Sequence, residues 1–258
     1  MSRDPVRMRD AAADLLLGGT CLGCGVPGRL VCPACRAALP TRAVPRWPSP
    51  PPPGLVTPYA VAPYDGLVRA LVLGHKEHRL LALTAVLGEL LACSVAAALA
   101  TTPDPAPVAL VPVPSRPATV RARGHDPMLA TTRVAAALLG PGVDVVPLLR
   151  SRPGVVDQAG LDRAHRRANL AGSMAVRARP LRALARRGEP VHVVVCDDVL
   201  TTGSTVREAQ RALGAVGIEV LAVAVVAATV RRVPPRGGAS GIHGDNSGPE
   251  VPPHPRTH

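Results

Sequence analysis

The stretch Val193-Val194-Val195-Cys196-Asp197-Asp198-Val199-Leu200-Thr201-Thr202-Gly203-Ser204-Thr205 constrains this chain more than any other. An apolar run stops at two adjacent acids, a short run of Thr, Gly and Ser follows, and a helical pattern begins. This order predicts a buried strand that delivers two carboxylates to its C-terminal end. The loop after it is small enough for backbone N–H groups to face an anion at a helix N-terminus. Carboxylates accept hydrogen bonds from sugar hydroxyls. A ligand with vicinal hydroxyls beside a phosphomonoester, such as a ribose 5-phosphate, satisfies both halves.

The rest of the chain alternates in the same way. Strands are expected over 55–62, 108–111, 143–148, 191–196 and 218–230, and helices over 64–73, 80–100, 127–139 and 205–216. Helix 127–139 is expected to bury Leu129, Val134 and Leu138, and helix 205–216 to bury Val206, Ala209, Leu213 and Val216. Short helical patterns also fall at 4–17 and 177–187. Alternation of this kind predicts an α/β domain with a mainly parallel sheet flanked by helices. A length of 258 residues allows one such domain plus small attachments. Phe is absent and Trp47, Tyr59 and Tyr64 are the only aromatics, so the core must be Val, Leu and Ala. A dinucleotide site is disfavoured because no GxGxxG follows the first strand, and a P-loop because GxxxxGK[ST] is missing. No Ser nucleophile elbow is present.

Cys21-Leu22-Gly23-Cys24 and Cys32-Pro33-Ala34-Cys35 form two CxxC pairs separated by seven residues. Each pair can present two thiolates to one ion, and together they complete a tetrahedral zinc site with no position left for water. The site reads as structural, with metal binding supplying the folding energy of a short finger. Residues 1–20 carry acids and no adequate h-region, so no signal peptide is expected. Paired CxxC without secretion points to a reducing cytoplasm and to metal, not to disulfides. The apolar stretch from Leu80 to Ala100 approaches the length of a membrane span but contains Glu89 and much Ala, which fits a helix packed in the core and no membrane span. The Pro-rich segment 40–54 marks a semi-rigid boundary. The expected organisation is a helix and four-cysteine finger over 1–39, a linker over 40–54, the α/β domain over 55–230 and a disordered tail over 231–258.

The formal net charge is +12, and the segment 116–187 holds 14 Arg against four Asp. That suits polyanionic partners, namely phosphorylated metabolites, pyrophosphate or nucleic acid, and equally a solvated basic surface. Lys76 is the sole Lys in a chain whose other basic residues are all Arg. A compact point charge at a phosphate would explain it. The strand 108–111 runs into Pro112-Val113-Pro114-Ser115-Arg116 and then Arg121-Ala122-Arg123-Gly124-His125-Asp126, a loop rich in donors for phosphate oxygens at the carboxyl edge of a sheet. Residues 150–170 are polar and basic, either a lid over an anionic ligand or a solvent-facing helix.

Val194 to Thr205 resembles the phosphoribosyl diphosphate motif of type I phosphoribosyltransferases. From about 20 to 230 the chain is similar to the ComF family, phosphoribosyltransferase-like proteins linked to competence and DNA uptake. The similarity rests on the four-cysteine finger, Tyr64-Asp65-Gly66-Leu67-Val68 leading to Lys76, Val111-Pro112-Val113-Pro114, Arg121 to Gly124, Gln158, Arg163, Arg166 to Leu170, and 194–205. His125-Asp126 departs from the family's usual aromatic-Asn pair, and Glu77-His78 departs as well. The resemblance implies that Asp197 and Asp198 hold ribose hydroxyls and that Thr201, Thr202, Gly203, Ser204 and Thr205 cradle the 5-phosphate. It places Val113, Pro114, Ser115 and Arg116 at the pyrophosphate loop, with Lys76, Arg121 and Arg123 as charge partners and Mg2+ bridging ligand oxygens. The implied activity is phosphoribosyl transfer to an unspecified acceptor. The alternative is a DNA-handling accessory factor that uses the finger and the basic surface, with single-stranded DNA and DNA-uptake proteins as partners. Oligomeric state is open.

Overall fold

The computed structural model describes residues 19–102, 106–115, 120–121, 124–152 and 172–229. The expected helix at 4–17, Arg116, Arg123, the basic segment 153–170 and the tail lie outside the described residues. In chain order the elements are α1 (Pro33–Ala37), β1 (Val44–Pro45), β2 (Pro58–Pro63), α2 (Gly66–Lys76), α3 (Leu83–Leu99), β3 (Val108–Pro112), α4 (Pro127–Leu139), β4 (Val143–Val145), β5 (Leu149–Ser151), β6 (Met174–Val176), α5 (Ala178–Ala185), β7 (His192–Leu200), α6 (Ser204–Gly214) and β8 (Ala222–Ala228).

Six strands form one sheet in the order β1-β2-β8-β7-β3-β4. From β2 to β4 the neighbours run parallel, and β1 adds an antiparallel edge. The fold is therefore α/β with a mainly parallel sheet flanked by helices, as expected. Strands β3 and β8 are continuous apolar runs because both faces are covered, and every residue in them is buried. Val194 and Cys196 of β7 join the core under α2, α3 and α4, while Val193 and Val195 join the core under α6. Without Phe, the interior is filled by Leu71, Leu91, Leu110, Leu213 and many Val and Ala. Each fully buried Leu or Val contributes about 1.5–3 kcal/mol. Gly88 allows α3 and α4 to cross closely, since a Cβ there would lie 2.4 Å from Val134 Cγ1.

The connections place a crevice. After β3 the chain passes through α4 to β4 on one side, then returns to β7 on the other side of β3 and continues through α6 to β8. The strand order thus reverses between β3 and β7, and in open α/β sheets ligands bind outside the carboxyl ends of the strands at such a point.

Several boundaries differ from expectation for physical reasons. Strand β7 continues through both acids to Leu200 instead of ending at Cys196, because β8 pairs alongside it as far as Ala228. Helix α2 continues through Gly74 and His75 to Lys76, and the polar break follows it. Gly74 stays helical because it packs tightly, a Cβ there lying 3.0 Å from Leu83 Cδ1 and 3.3 Å from Leu22 Cδ1. Helix α4 buries Met128, Thr131, Thr132, Ala135 and Ala136, whereas Leu138 is 56% exposed. Thr132 can be buried because its hydroxyl donates to the Met128 carbonyl at 2.7 Å. Val216 lies beyond α6 and is exposed. The expected strand 143–148 is shortened to β4 in the main sheet, and β5 starts beyond it at Leu149 and pairs with β6 in a separate antiparallel ribbon. The strand expected over 218–230 starts at Ala222 as β8, and that expected over 55–62 starts at Pro58 as β2. Among the described residues no helix is long and apolar enough to cross a membrane.

The Pro-rich segment is tied down along its length. Val44 and Pro45 pair with β2. Arg207 Nε of α6 donates to the Pro53 carbonyl at 2.9 Å, and Gln210 donates to the Gly54 carbonyl at 2.9 Å while accepting the Val56 N–H at 3.1 Å.

Candidate functional site

Alternation along β7 puts Asp198 on the same face as Val194 and Cys196, towards α2. The last residue of α2 is Lys76, and its ammonium forms an ion pair with Asp198 Oδ2. The pair exists because the helix runs three residues further than its hydrophobic spacing suggests. At a helix C-terminus the backbone dipole also favours a cation. Burial opposes the ammonium, but the charges of Asp198 and Asp197 outweigh it and hold Lys76 above the ordinary lysine value. Asp197 Oδ1 accepts the Asp198 N–H at 2.9 Å. Burial, and then the charge of Asp198, push the Asp197 carboxyl up to about 7, against the opposing pull of Lys76. A pocket opens beside the ion pair, walled by Val72, Leu87, Pro127, Met128 and Val226.

The loop that follows presents backbone N–H groups at a helix N-terminus, an arrangement able to receive an anion. Gly203 precedes α6 with φ +73°, a left-handed conformation that favours glycine, and a Cβ there would press on Pro48 and Pro52 at 3.1 Å. Within α6, Arg207 N–H bonds to the Gly203 carbonyl at 2.9 Å. The amides of Ser204, Thr205 and Val206 therefore precede the first helical bond and stand at the N-terminus. Thr202 Oγ1 accepts the Ser204 N–H at 3.3 Å and its hydroxyl donates to Ser204 Oγ at 2.9 Å. Thr229, just past β8, holds the loop from below by donating from its hydroxyl to the Thr201 carbonyl at 3.3 Å. No acid occupies the first turn of α6.

Across the crevice, β3 leads into Val113, Pro114 and Ser115. The Val113 N–H bonds to the Cys196 carbonyl at 2.8 Å, which joins this loop to β7 one residue before the acids. Ser115 Oγ donates to Asp126 Oδ1 at 2.9 Å. The same oxygen caps α4 by accepting the Met128 and Leu129 N–H groups at 3.1 and 3.3 Å. Asp126 thus fixes the end of the described loop to a helix N-terminus. Its signal was Asp before Pro at a helix start. Arg121 is exposed, while Arg116 and Arg123 lie outside the described residues. The structure brings together Lys76, Asp197, Asp198, the 201–205 loop and the 113–115 loop around one crevice.

Glu208 was not foreseen. Its helix reads as amphipathic and a Glu there looks solvent-facing, yet its side chain is 4% exposed. It accepts the Met174 N–H at 3.0 Å and Arg211 Nε at 2.6 Å, pinning the β5–β6 ribbon to α6. Burial raises its carboxyl, but the Arg211 hydrogen bond and the Met174 N–H more than offset that and leave it lowered. Glu208→Ala is expected to cost about 2–4 kcal/mol, because a buried donor is orphaned and Arg211 loses its partner. Urea unfolding would measure it, and a change below about 0.5 kcal/mol would contradict this role.

The four cysteines form a second site. Their sulfurs all lie within 4.8 Å of one another, and Cys24 and Cys32 are 3.6 Å apart. Four thiolates at about 2.3 Å from one zinc would be about 3.8 Å apart, so the arrangement suits that ion. The Cys32 N–H points at Cys21 Sγ at 3.3 Å and the Cys35 N–H at Cys32 Sγ at 3.4 Å. Desolvation works against the Cys21 thiolate, but the backbone N–H groups of Cys32, Cys24 and Gly23 bring the thiol down to about 6. Cys35, crowded by the thiols of Cys32, Cys21 and Cys24, is pushed up to about 12. Such crowding is what a divalent cation relieves. Gly23 is required here, since a Cβ would lie 2.7 Å from Cys35 Sγ and 3.3 Å from Leu67 Cδ1 of α2. Arg36 of α1 forms an ion pair with Glu89 of α3. The cysteine cluster is therefore mounted on α2 and α3.

A family model described as the phosphoribosyl transferase domain matches residues 160–252. The chain carries a phosphoribosyltransferase-type domain. The match takes in β6, α5, β7, the 201–205 loop, α6 and β8, just over a third of the chain. Lys76, the 113–115 loop and the four cysteines lie outside it. No curated protein matches the chain.

Proposed function

We propose that this protein binds 5-phosphoribosyl 1-diphosphate with Mg2+ in the crevice between β3 and β7 and transfers the phosphoribosyl group to an acceptor. The observation that carries this reading is the Asp197–Asp198 pair beside the 201–205 loop, within the segment matched by the phosphoribosyl transferase model, with Lys76 reaching Asp198 from outside that segment. Asp197 and Asp198 accept hydrogen bonds from the 2- and 3-hydroxyls of ribose. The amides at the start of α6, with Thr201, Thr202, Ser204 and Thr205, receive the 5-phosphate. The 113–115 loop is assigned to the diphosphate, with Arg116, Arg121 and Arg123 as charge partners, and Lys76 supplies a point charge to it. Two carboxylates, one of them paired with Lys76, make a poor cage for Mg2+, which suits an ion carried on the phosphates and neutralising them. In the transfer the acceptor's lone pair forms the bond to C1, the C1–O bond breaks, its electrons leave with pyrophosphate, and the acceptor loses a proton. The chain contributes positioning and charge complementarity and needs no covalent nucleophile.

The same reading assigns residues 1–39 to a finger holding structural zinc, 40–54 to a connecting segment and 55–230 to the transferase unit, acting in the cytoplasm as a ComF-type protein in DNA uptake. Calorimetric titration with phosphoribosyl diphosphate and Mg2+ tests the ligand, and absence of binding would remove the reading. Affinity should rise with pH, since sugar hydroxyls need the ionised Asp197 and its carboxyl is pushed up to about 7. Below that value binding must release a proton, so Kd should improve by up to about tenfold per pH unit between 6 and 7 and level off above. A flat profile would mean that Asp197 is ionised throughout or does not meet the ligand.

A second reading, a nucleic-acid-handling factor, is favoured by one observation. Arg179, Arg182 and Arg186 are exposed at helical spacing along and just past α5, opposite Leu181 and Leu184, which pack on the core. It requires single-strand binding that weakens steeply with salt, and a flat response would remove it.

A further inference from the structure

Lys76 ends α2 with its ammonium against Asp198, the acid that the proposed site needs for a ribose hydroxyl. A hydroxyl is a neutral donor. It can replace the hydrogen bond that the ammonium makes to Asp198, but not its charge. A diol that displaced Lys76 alone would leave a cation and a carboxylate apart in a half-buried crevice, which is costly. A diphosphate removes that cost by receiving the ammonium. The lysine stem is long and flexible. Val72, Leu87 and Met128 line the small pocket beside it, so the stem rests on apolar surface while its ammonium is directed at the crevice. The 113–115 loop, where the diphosphate is placed, is joined directly to β7 through the Val113–Cys196 hydrogen bond of 2.8 Å. The destination of the ammonium is thus on the neighbouring strand.

We propose that Lys76 makes the crevice selective for a ribose 5-phosphate that carries a diphosphate at C1: its ion pair with Asp198 closes the ribose position, and a ligand with a second anion for the ammonium opens it. This rests on the phosphoribosyl diphosphate reading above. The pair also explains why the site tolerates two adjacent acids without ligand, since Lys76 neutralises one of them.

The test is calorimetry on the full zinc-loaded chain, wild type and Lys76→Met, with two probes: phosphoribosyl diphosphate with Mg2+, and ribose 5-phosphate. Met keeps most of the stem against the pocket and removes the charge. Lys76→Met should weaken phosphoribosyl diphosphate by about 10- to 100-fold, the size of a lost charged hydrogen bond. Ribose 5-phosphate should bind as well or better, so the ratio of the two Kd values collapses. Equal weakening of both probes would overturn the inference, because Lys76 would then only shape Asp198. No change in either would also overturn it. Should Lys76→Met fail to fold, Lys76→Gln carries the same comparison. Failure of the wild type to bind phosphoribosyl diphosphate would instead overturn the functional reading, a distinct result.

Discussion

Asp197→Asn/Asp198→Asn is expected to abolish measurable binding of phosphoribosyl diphosphate while the chain stays folded. Each carboxylate is assigned a charge-assisted hydrogen bond from a ribose hydroxyl, worth about 1.5–3 kcal/mol. Losing two costs about 3–6 kcal/mol, or a factor of 100 or more in Kd. Asn is isosteric, and it removes charges that burial disfavours. Asp197 carries the larger burial penalty, which pushes its carboxyl up to about 7, so neutralising it relieves the fold. Asp198→Asn alone should be the more destabilising single change, since it leaves the half-buried Lys76 ammonium without its carboxylate. Calorimetry and thermal melting together separate the effects. Wild-type affinity in the double variant would show that the acids are not the ribose site.

The second large effect is expected at the cysteine cluster. Cys21→Ser/Cys24→Ser should release the metal, which elemental analysis would otherwise find at one zinc per chain. Apparent zinc-binding energies of finger peptides are about 10–16 kcal/mol near neutral pH, and in such modules that energy is folding energy. α1 has no buried residue of its own. Besides the metal, the segment is held by the partly buried Leu22, Leu30, Val31 and Leu39 on the core, Gly23 beneath Leu67, and Arg36 on Glu89. Hydrogen exchange should therefore speed up over 20–39, and to a lesser degree along α2, which carries Lys76. Retention of zinc, or unchanged exchange over 20–39, would contradict the structural role.

The parallel architecture was legible because β3, β8 and the Val193–Cys196 part of β7 are buried on both faces and so read as unbroken apolar runs. The cysteine cluster was legible because CxxC pairs act locally, each within one tight turn. Element ends were less legible. Leu138 looks like a core residue by spacing, but the cap at Asp126 and the crossing at Gly88 rotate α4 so that Thr131, Thr132 and Ala135 face inward. Glu208 could not be read at all, since its partner Met174 N–H is 34 residues away.

The sequence by itself determined that two acids, a Thr-Gly loop and a helix start would stand together, because they are consecutive along one strand and one turn. It also singled out Lys76 as an unusual residue, without saying what it meets. Only the tertiary structure decided that α2 runs on to Lys76 and that its ammonium lies on Asp198. It alone placed the β3 loop beside β7, clamped by Asp126, at the reversal of strand order. Those contacts join residues 11 to 122 positions apart in the chain. They depend on how helices and strands pack, and packing is set by the whole core and not by any local pattern.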